Sequence, residues 1–426
     1  MEAIKWVNYI VAVAFFVCYA YQFFYIAVGL LFKPRKSQKE TTLHNYAVLI
    51  CARNEHAVIR QLIDSIKSQD YPSDRVTVFV AADNCTDDTA QIAREAGAVV
   101  YERFNREKVG KGYAMNFLLG KIAADYPKDR FDGFFVFDAD NVLSPNYITE
   151  MNKTFSQGYE TITSYRNSKN YGDNWITAGY ALWFLRESKF LNQARMTLGT
   201  SCAVSGTGFL FSREVLEAAG GWNFYLLTED IEFSVWHVVN QKKIGYCPTA
   251  VLYDEQPTRF KQSWHQRMRW ARGYLQVFGK YGKRLLAGIF KKRGFACYDM
   301  SMAIMPAVVL SLIDVVANLT AFVLRLLPMI GGVWNPQSTL TVIVSVGQLL
   351  LNTYLLMFVI GAITTLSEWK QIHTTAAKKI GYMFTFPLFM LTYIPIAVVA
   401  FFKRNVGWKH IEHSVSVSVD EIVEKM

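Results

Sequence analysis

The sequence predicts an α/β domain with a mostly parallel sheet, joined to an α-helical transmembrane region. Between residue 41 and about residue 255, short apolar runs alternate with stretches of helical periodicity. This alternation is typical of a parallel sheet covered by helices on both faces. The chain is also unusually apolar, because 52% of its 426 residues are hydrophobic and only 19% are charged. We therefore expect part of it to lie in a membrane.

The alternating region contains three predicted strands and two predicted helices. Apolar runs at residues 46–52, 76–82 and 134–137 predict the strands, and the spacing at 59–66 and 89–96 predicts the helices. Polar residues follow each strand, at the edge where parallel sheets bind ligands. Three separated segments are therefore expected to meet at one cleft, to which they contribute Arg53, Asn54, Glu55, Asp83, Asp138 and Asp140.

Four charge-poor stretches are long enough to cross a bilayer as helices, at residues 6–32, 300–324, 338–366 and 380–402. The first exceeds the apolar core of a signal peptide, so we expect a retained anchor. The stretch that contains Pro306, Asp314 and Asn318 is expected to be broken, re-entrant or pore-lining, because a carboxylate at membrane depth needs a polar neighbour. Pairing of Asp314 with Arg325 or with a neighbouring polar group is the alternative.

Basic residues predict the orientation of these helices. Those after the first span place the N-terminus outside and the α/β domain in the cytoplasm. Strict alternation of four spans then puts the tail outside, whereas the basic residues of the tail favour the cytoplasm. The two groups are Lys33, Arg35, Lys36 and Lys39, and Lys403, Arg404 and Lys409.

The formal charge of +10 is concentrated in residues 259–293, which hold eleven Lys or Arg and no Asp or Glu. Such a segment could bind nucleic acid, an anionic lipid surface or a phosphorylated substrate. The six cysteines form no CxxC pair, which predicts free thiols in a reducing compartment. The histidines form no HxxxH or HExxH cluster, so the sequence gives no support for a histidine-bound metal.

A short DxD pattern follows the third strand. Asp138 and Asp140 can hold a hard divalent cation that also bridges phosphate oxygens. A dinucleotide fingerprint and a Walker loop are both absent from the sequence, so a nucleotide would bind without them. For Asp87 and Asp88, a helix cap and a ligand contact are equally good interpretations.

Two further motifs lie on predicted helices. Thr228 is expected to be the N-cap of an amphipathic helix that has Glu229 and Asp230 in its first turn. Gln266, Arg269 and Trp270 are spaced to share one helical face. An interfacial helix is the alternative interpretation of the arginine and the tryptophan.

Together, Asp83 and residues 138–140, 228–230 and 266–270 resemble the ordered D, DxD, TED and QxxRW motifs of processive family 2 glycosyltransferases. Cellulose synthase, hyaluronan synthase and poly-N-acetylglucosamine synthase belong to this group. The resemblance is close over residues 43–280 and implies a GT-A-type domain that binds a nucleotide sugar. The sequence departs from the cellulose synthases at residues 205–208, where they carry a different motif, so cellulose is disfavoured.

The resemblance implies a role for each matching residue. Asp83 would contact the uridine, Asp138 and Asp140 would hold UDP and Mg²⁺ or Mn²⁺, and Lys111 would lie near the diphosphate. The implied donor site consists of Ala52, Arg53, Asn54, Glu55, Asp83, Lys111, Asp138, Gln266, Arg269 and Trp270.

The resemblance also implies the catalytic set, which is Asp230, Asp138 and Asp140, with Asp230 as the general base. Trp270, Glu229 and Gly206 would bind the acceptor. The implied reaction is inverting transfer of a hexose or N-acetylhexosamine from a UDP-sugar to a growing β-linked polysaccharide at the cytoplasmic face, with possible extrusion. A non-processive glycolipid glycosyltransferase and a catalytically inactive membrane transporter or scaffold are the alternatives.

These expectations divide the chain into five parts. They are an anchor (1–40), a cytosolic GT-A domain (41–258), basic interfacial helices (259–298), C-terminal transmembrane helices (299–403) and a tail (404–426). The expected partners are the UDP-sugar, a glycan or glycolipid acceptor and membrane lipids, and no nucleic acid. The expected location is the plasma membrane, with several spans.

Overall fold

The computed structural model describes residues 2–32, 40–330, 336–404, 406–407, 411 and 413–424. An α/β domain lies between a helical N-terminal part and a group of long helices. The strands are β1 (Tyr46–Ala52), β2 (Val76–Asp83), β3 (Val99–Arg103), β4 (Gly133–Asp138), β5 (Val142–Leu143), β6 (Thr161–Ser168), β7 (Phe209–Ser212) and β8 (Gly245–Asp254).

Helices precede, separate and follow the strands. Those up to the end of the sheet are α1 (Glu2–Tyr19), α2 (Tyr21–Leu31), α3 (Ile59–Lys67), α4 (Thr89–Glu95), α5 (Lys111–Asp125), α6 (Tyr147–Phe155), α7 (Trp175–Arg186), α8 (Gln193–Leu198), α9 (Arg213–Ala218) and α10 (Glu229–Val239). A π-helical segment, Glu187–Asn192, joins α7 to α8. The later helices are α11 (Phe260–Gly288), α12 (Gly294–Ile304), α13 (Pro306–Ile330), α14 (Pro336–Ser367), α15 (Ala376–Leu391), α16 (Tyr393–Phe402) and α17 (Val419–Val423).

The sheet of the described residues has the order β3-β2-β1-β4-β7-β6-β8-β5. The predicted strands form its parallel centre, because β1 pairs in parallel with both β2 and β4. β3 and the β6–β8 pair are also parallel, whereas β7 runs antiparallel between β4 and β6. The prediction of a mostly parallel sheet is confirmed, and β7 is an antiparallel strand that the sequence pattern did not predict.

Helices cover both faces of the sheet. Successive strand residues point to opposite faces, so Leu49 packs towards α5 and α7 while Val48 packs towards α3 and α6. The predicted helices are confirmed as α3 and α4. The N-cap residue of α4 is Asp88, whose side chain makes no capping hydrogen bond. Asp87, one residue earlier, accepts the backbone N–H of Thr89 through Oδ1 at 3.2 Å and so contacts the start of the helix.

The helices outside the α/β domain include three that are long and apolar enough to cross a membrane within the described residues: Trp6–Leu31, Val346–Ser367 and Ala376–Phe402. The bent pair α12–α13 makes a fourth if it counts as one span, since Gly294–Ile304 and Pro306–Thr320 meet at 41°. The break before Pro306 lies in the stretch that the sequence predicts to be broken.

Asp314 in α13 has a polar neighbour, which agrees with its expected pairing with a nearby polar group. The Asn318 side-chain amide donates to Asp314 Oδ1 at 3.2 Å and to Asn8 Oδ1 at 2.9 Å. This contact joins α13 to α1. The alternative partner, Arg325, has its side chain outside the described part, as do the predicted orientation residues Lys33, Arg35, Lys36, Lys39 and Lys409.

The apolar stretch formed by α15 and α16 contacts the α/β domain near its start and beyond its end, and it contacts α11 where the two helices meet. Lys378 Nζ donates to the Gly172 carbonyl at 2.7 Å near the start of α15. Arg267 in α11 donates to Thr392 Oγ1 at 2.6 Å at the junction of the two helices. Beyond α16, His413 again contacts the α/β domain.

Candidate active site

A cavity of about 1380 Å³ opens at the carboxyl ends of β1, β2 and β4 and extends between the long helices. It brings the four sequence motifs together, as expected from the parallel arrangement of these strands. All but one of the predicted site residues line it, namely Ala52, Arg53, Glu55, Asp83, Lys111, Asp138, Asp140, Gly206, Glu229, Asp230, Gln266, Arg269 and Trp270.

Asn54 is the exception among the predicted donor-site residues. Its side chain contacts the loop after β2, where Asn54 Oδ1 accepts the backbone N–H of Thr86 at 2.8 Å. Its backbone has a φ of 56°, a left-handed conformation that asparagine tolerates. Asn54 therefore shapes the turn after β1 and holds the neighbouring loop, and its side chain is directed away from the cavity.

Asp138 forms an ion pair with Lys111 on the floor of the cavity. Lys111 Nζ donates to Asp138 Oδ1 at 2.5 Å and to the Gly206 carbonyl at 2.7 Å. Burial alone would lower the pKa of Lys111, but Asp138 and Glu229 raise it above its usual value. Lys111 is therefore a fixed positive charge beside the DxD motif, at the N-terminus of α5.

Asp140 is almost fully buried, at 5% exposure. Its Oδ2 accepts the backbone N–H of Glu255 at 2.8 Å, and its Oδ1 accepts the side-chain amide of Asn141 at 3.3 Å. Asp138 and Asp140 both line the cavity, and carboxylate oxygens are the ligands that Mg²⁺ and Mn²⁺ prefer. The residues present therefore fit a divalent cation.

Asp83 is held by an arginine that the sequence motifs did not identify. Arg103, in β3, donates from Nη1 to Asp83 Oδ1 at 2.5 Å, and the two side chains are only 9% and 8% exposed. Burial raises the pKa of Asp83, and Arg103 counters part of that effect. The parallel pairing of β2 with β3 aligns these two residues, and no local sequence pattern predicts this alignment.

Gly206 lies between the catalytic candidates. A Cβ on this residue would come within 3.8 Å of Arg166 Nη1, 3.9 Å of Asp230 Oδ2 and 4.0 Å of Asp138 Oδ2. Its φ of 78° is also in the left-handed region that favours glycine. The absence of a side chain leaves room for a ligand between the DxD motif and Asp230.

Glu229 and Asp230 lie at the N-terminus of α10. Burial and the neighbouring Asp230 raise the pKa of Glu229 to about 7, against the opposing effect of Lys111. Burial also raises the pKa of Asp230, although backbone N–H groups of Ile231 and Gly206 oppose this change. The pair therefore binds a proton more readily than ordinary carboxylates do, which suits a general base near neutral pH.

Thr228 is the N-cap residue of α10, as predicted, but its side chain does not cap the helix. Its hydroxyl makes no capping hydrogen bond, and Oγ1 is buried without a partner among the described residues. The side chain instead packs against Gly273 in α11, where a Cβ would come within 2.5 Å of it. Close contact with α11 displaces the Thr228 hydroxyl from the capping position. The same contact joins the TED motif to the helix that carries QxxRW.

Gln266, Arg269 and Trp270 face the cavity from α11, as their spacing predicts. Gln266 Oε1 and Arg269 Nε are buried and have no hydrogen-bond partner in the described part of the chain. Buried polar atoms without partners are costly, so a polar ligand in the cavity would relieve them. Trp270 packs edge-on against Tyr180, at 5.7 Å between ring centroids.

Arg267, in the same helix, points away from the cavity. Arg267 is fully buried and lies 4.3 Å from the ring centroid of Phe389 in α15. Arg267 thus fixes α11 on α15 and α16, on the side of the helix opposite the residues that face the cavity.

The far side of the cavity is mostly apolar, although Asp314, Asn318 and Asn352 also line it. It is lined by residues of α1, α13 and α14, which include Val11, Phe15, Val315, Leu350, Thr353 and Leu356. One continuous space therefore joins a group of carboxylates at the sheet edge to a groove between helices of membrane length.

The residues of this chain match a known family. A family model described as "Glycosyltransferase like family 2" matches residues 44–273. The chain belongs to glycosyltransferase family 2. The resemblance of the four motifs to this family is thereby confirmed, and the enzyme uses a nucleotide sugar.

Two curated relatives of this glycosyltransferase differ in their products. It is 27% identical over 332 residues to a beta-monoglucosyldiacylglycerol synthase of Nostoc sp., which covers 74% of this chain and 68% of the relative. It is 27% identical over 255 residues to a poly-beta-1,6-N-acetyl-D-glucosamine synthase of Staphylococcus epidermidis, which covers 58% of each.

A solved structure has the same fold as this glycosyltransferase. A mannosyltransferase from Pyrobaculum calidifontis in complex with GDP-Man and Mn²⁺ superposes with a TM-score of 0.59 at 15% identity, over 94% of this chain and 99% of that chain. The predicted GT-A-type fold is confirmed. The Mn²⁺ in that structure agrees with the divalent cation expected here.

Proposed function

We propose that this glycosyltransferase transfers a hexose from a UDP-sugar to a membrane lipid, with inversion at the anomeric carbon. The observation that carries the proposal is the cavity, because its polar end holds the family motifs and its apolar end lies between helices of membrane length. A lipid acceptor needs both environments, with its hydroxyl near Asp230 and its acyl chains in the groove. The relation to the glucosyldiacylglycerol synthases also favours this reading over a polymer.

The donor would bind at the sheet edge. Arg53, Glu55 and Asp83 would surround the nucleoside, and Asp138 and Asp140 would hold the diphosphate together with Mg²⁺ or Mn²⁺. The cation, when bound, would neutralise negative charge on the leaving UDP. Lys111 and Arg269 would add positive charge to the same groups.

Transfer requires one bond to form and one to break. The acceptor oxygen attacks the anomeric carbon from the side opposite UDP, and the bond from that carbon to the phosphate oxygen breaks, with its electron pair leaving on UDP. Asp230 takes the proton of the acceptor hydroxyl. Burial raises the pKa of Asp230 and so favours this proton transfer.

Synthesis of a polysaccharide is the second candidate, which the likeness to the poly-beta-1,6-N-acetyl-D-glucosamine synthase and the QxxRW motif favour. In either case we propose a protein of the plasma membrane with several spans and a cytoplasmic catalytic domain. The basic segment 259–293 would then lie against anionic headgroups.

The product distinguishes these functions. The purified protein in nanodiscs that contain diacylglycerol would be supplied with Mn²⁺ and, in turn, UDP-glucose, UDP-N-acetylglucosamine, UDP-galactose and UDP-glucuronate. We expect UDP release with one of them and a lipid that gains one or two hexoses by mass spectrometry. A long polymer would overturn the glycolipid proposal. No UDP release from any donor would favour an inactive transporter or scaffold, and Asp140→Ala serves as the inactive control.

A further inference from the structure

A segment close to the C-terminus, residues 411 and 413–415, lies over the donor end of the cavity. Ile411 and His413 line the cavity together with the DxD motif. His413 Nδ1 lies 2.9 Å from Glu55 Oε2, and these two side chains are 17% and 10% exposed. The contact links residues that are far apart in the chain, from the loop after β1 to the segment after α16.

Glu255 connects this segment to the DxD motif. The Glu255 carboxylate accepts the backbone N–H of Ser414 at 3.0 Å and that of Val415 at 2.8 Å. The backbone N–H of Glu255 donates in turn to Asp140 Oδ2 at 2.8 Å. The C-terminal segment therefore helps to fix the carboxylate that is expected to hold the metal.

The segment also balances charge. Asp140, Glu55, Asp254 and Glu255 gather at this end of the cavity, where Arg166 pairs with Asp254. His413 contributes a cation, since burial alone would lower the pKa of its imidazole but Asp140 and the hydrogen bond with Glu55 raise it to about 10.

A buried lysine completes the contacts. Lys169, only 3% exposed, donates from Nζ to the carbonyl of Val415 at 3.2 Å. Beyond it, Ser418 and Glu421 form a capping box at the start of α17, and Ile422 in this helix is fully buried. The segment is therefore anchored at Val415 and again at α17, beyond the residues that contact the donor end of the cavity.

We propose that the C-terminal segment is an integral wall of the donor site, in which His413 and the backbone N–H groups of Ser414 and Val415 position Glu55 and, through Glu255, Asp140 for a nucleoside diphosphate and its divalent cation. This inference rests on the proposed function, since it assigns these residues to the same donor. His413 acts here as a positioning residue, because it contacts Glu55 rather than the reacting atoms.

The opposite role, in which the segment blocks the donor site, predicts the opposite result. Loss of a wall weakens nucleotide binding, whereas loss of a block strengthens it. His413→Ala removes the side chain that contacts Glu55, and Val415→Pro removes the shortest N–H contact to Glu255. Ser416→Ala is the matched control, because the Ser416 side chain is exposed beside the segment.

The test is calorimetric titration of the full chain with UDP and with GDP, each in the presence of Mn²⁺. We expect His413→Ala and Val415→Pro to weaken binding by about tenfold or more, as loss of residues that position metal ligands does. The KM for the lipid acceptor should stay constant, and the melting temperature of each variant establishes that it is folded. Unchanged or tighter nucleotide binding in both variants would overturn the inference alone. A wild-type protein that binds neither nucleotide would overturn the proposed function and this inference with it.

Discussion

Arg195 and Asp299 form a bidentate ion pair between the α/β domain and the helices beside it. Arg195 Nε and Nη2 donate to the two carboxylate oxygens at 2.7 and 2.8 Å, and the side chains are 3% and 2% exposed. The hydroxyls of Tyr21 and Tyr25 in α2 donate to the same carboxylate at 2.8 and 2.9 Å. Three separate parts of the chain thus meet at one buried charge.

Replacing the cationic partner should destabilise the protein strongly. Arg195→Met leaves Asp299 buried without its counter-ion, which we expect to cost about 3–5 kcal/mol. Thermal unfolding in nanodiscs measures the effect. The control is Lys128→Ala, which breaks an exposed pair with Glu217 and should cost at most about 1 kcal/mol. Equal stability of the two variants would contradict a structural role for the buried pair.

Asp230→Asn should abolish transfer and leave donor binding intact. Asparagine keeps the size of the side chain but cannot take a proton, so we expect kcat to fall by about 10²–10⁴-fold. Titration with UDP and Mn²⁺ should give the wild-type affinity. Glu229→Gln, at the adjacent position, should retain more activity because Asp230 is still present. If Glu229→Gln were the more severe change, Glu229 would be the base.

The rate should depend on pH near neutrality. The base works only without its proton, and burial raises the pKa of both Glu229, to about 7, and Asp230. We therefore expect kcat/KM to fall as the pH drops through a range well above that of an ordinary carboxylate. Initial rates between pH 5 and pH 9 measure this, with circular dichroism at each pH to verify folding. A rate that stays level down to about pH 5 would argue against this pair.

Gly206→Ala should reduce activity. The new methyl group would occupy the space between Asp138 and Asp230, and the left-handed backbone adds a strain of about 1–2 kcal/mol. We expect a loss of about tenfold or more in kcat/KM, which corresponds to about 1.4 kcal/mol. Gly279→Ala is the control, since nothing lies within 4 Å of its Cβ position in α11. Similar activity of both variants would exclude a close approach of substrate to Gly206.

The C-terminal segment should lie on the same side of the membrane as the α/β domain. His413 contacts Glu55 directly, and this contact agrees with the basic residues Lys403 and Arg404 rather than with strict alternation of four spans. We expect cysteines at Ser418 and at Asp129, both exposed, to react with an impermeant maleimide from the same side in sealed vesicles. The background carries alanine at the partly exposed Cys18, Cys51 and Cys85. Labelling from opposite sides would contradict this arrangement.

Local patterns predicted the centre of the fold and most of the site. The apolar runs identified β1, β2 and β4, and the polar residues after them identified the edge of the cavity. Both features are encoded by residues that are adjacent in the sequence, so a local pattern suffices to predict them. β7 escaped prediction, since a strand of four residues, Phe209–Ser212, carries too little periodicity.

Contacts between distant segments could not be predicted in this way. Arg103 reaches Asp83 only after β2 and β3 align, and His413 reaches Glu55 across 358 positions of sequence. Thr228 has the residue type and position of an N-cap, but its contact with Gly273 depends on how α10 packs against α11. The length of an apolar stretch likewise does not predict where α15 and α16 lie, because their position depends on contacts with the α/β domain.

The cavity that joins the sheet edge to the groove between the long helices sets the conditions under which this enzyme would be assayed. Its nucleotide would arrive from water and its acceptor from the hydrocarbon phase, so neither substrate would have to leave the solvent in which it is soluble. The acceptor concentration that matters is then its mole fraction in the bilayer. Diluting diacylglycerol with inert phospholipid should slow the reaction, while diluting the same vesicles with buffer should leave the rate per enzyme constant.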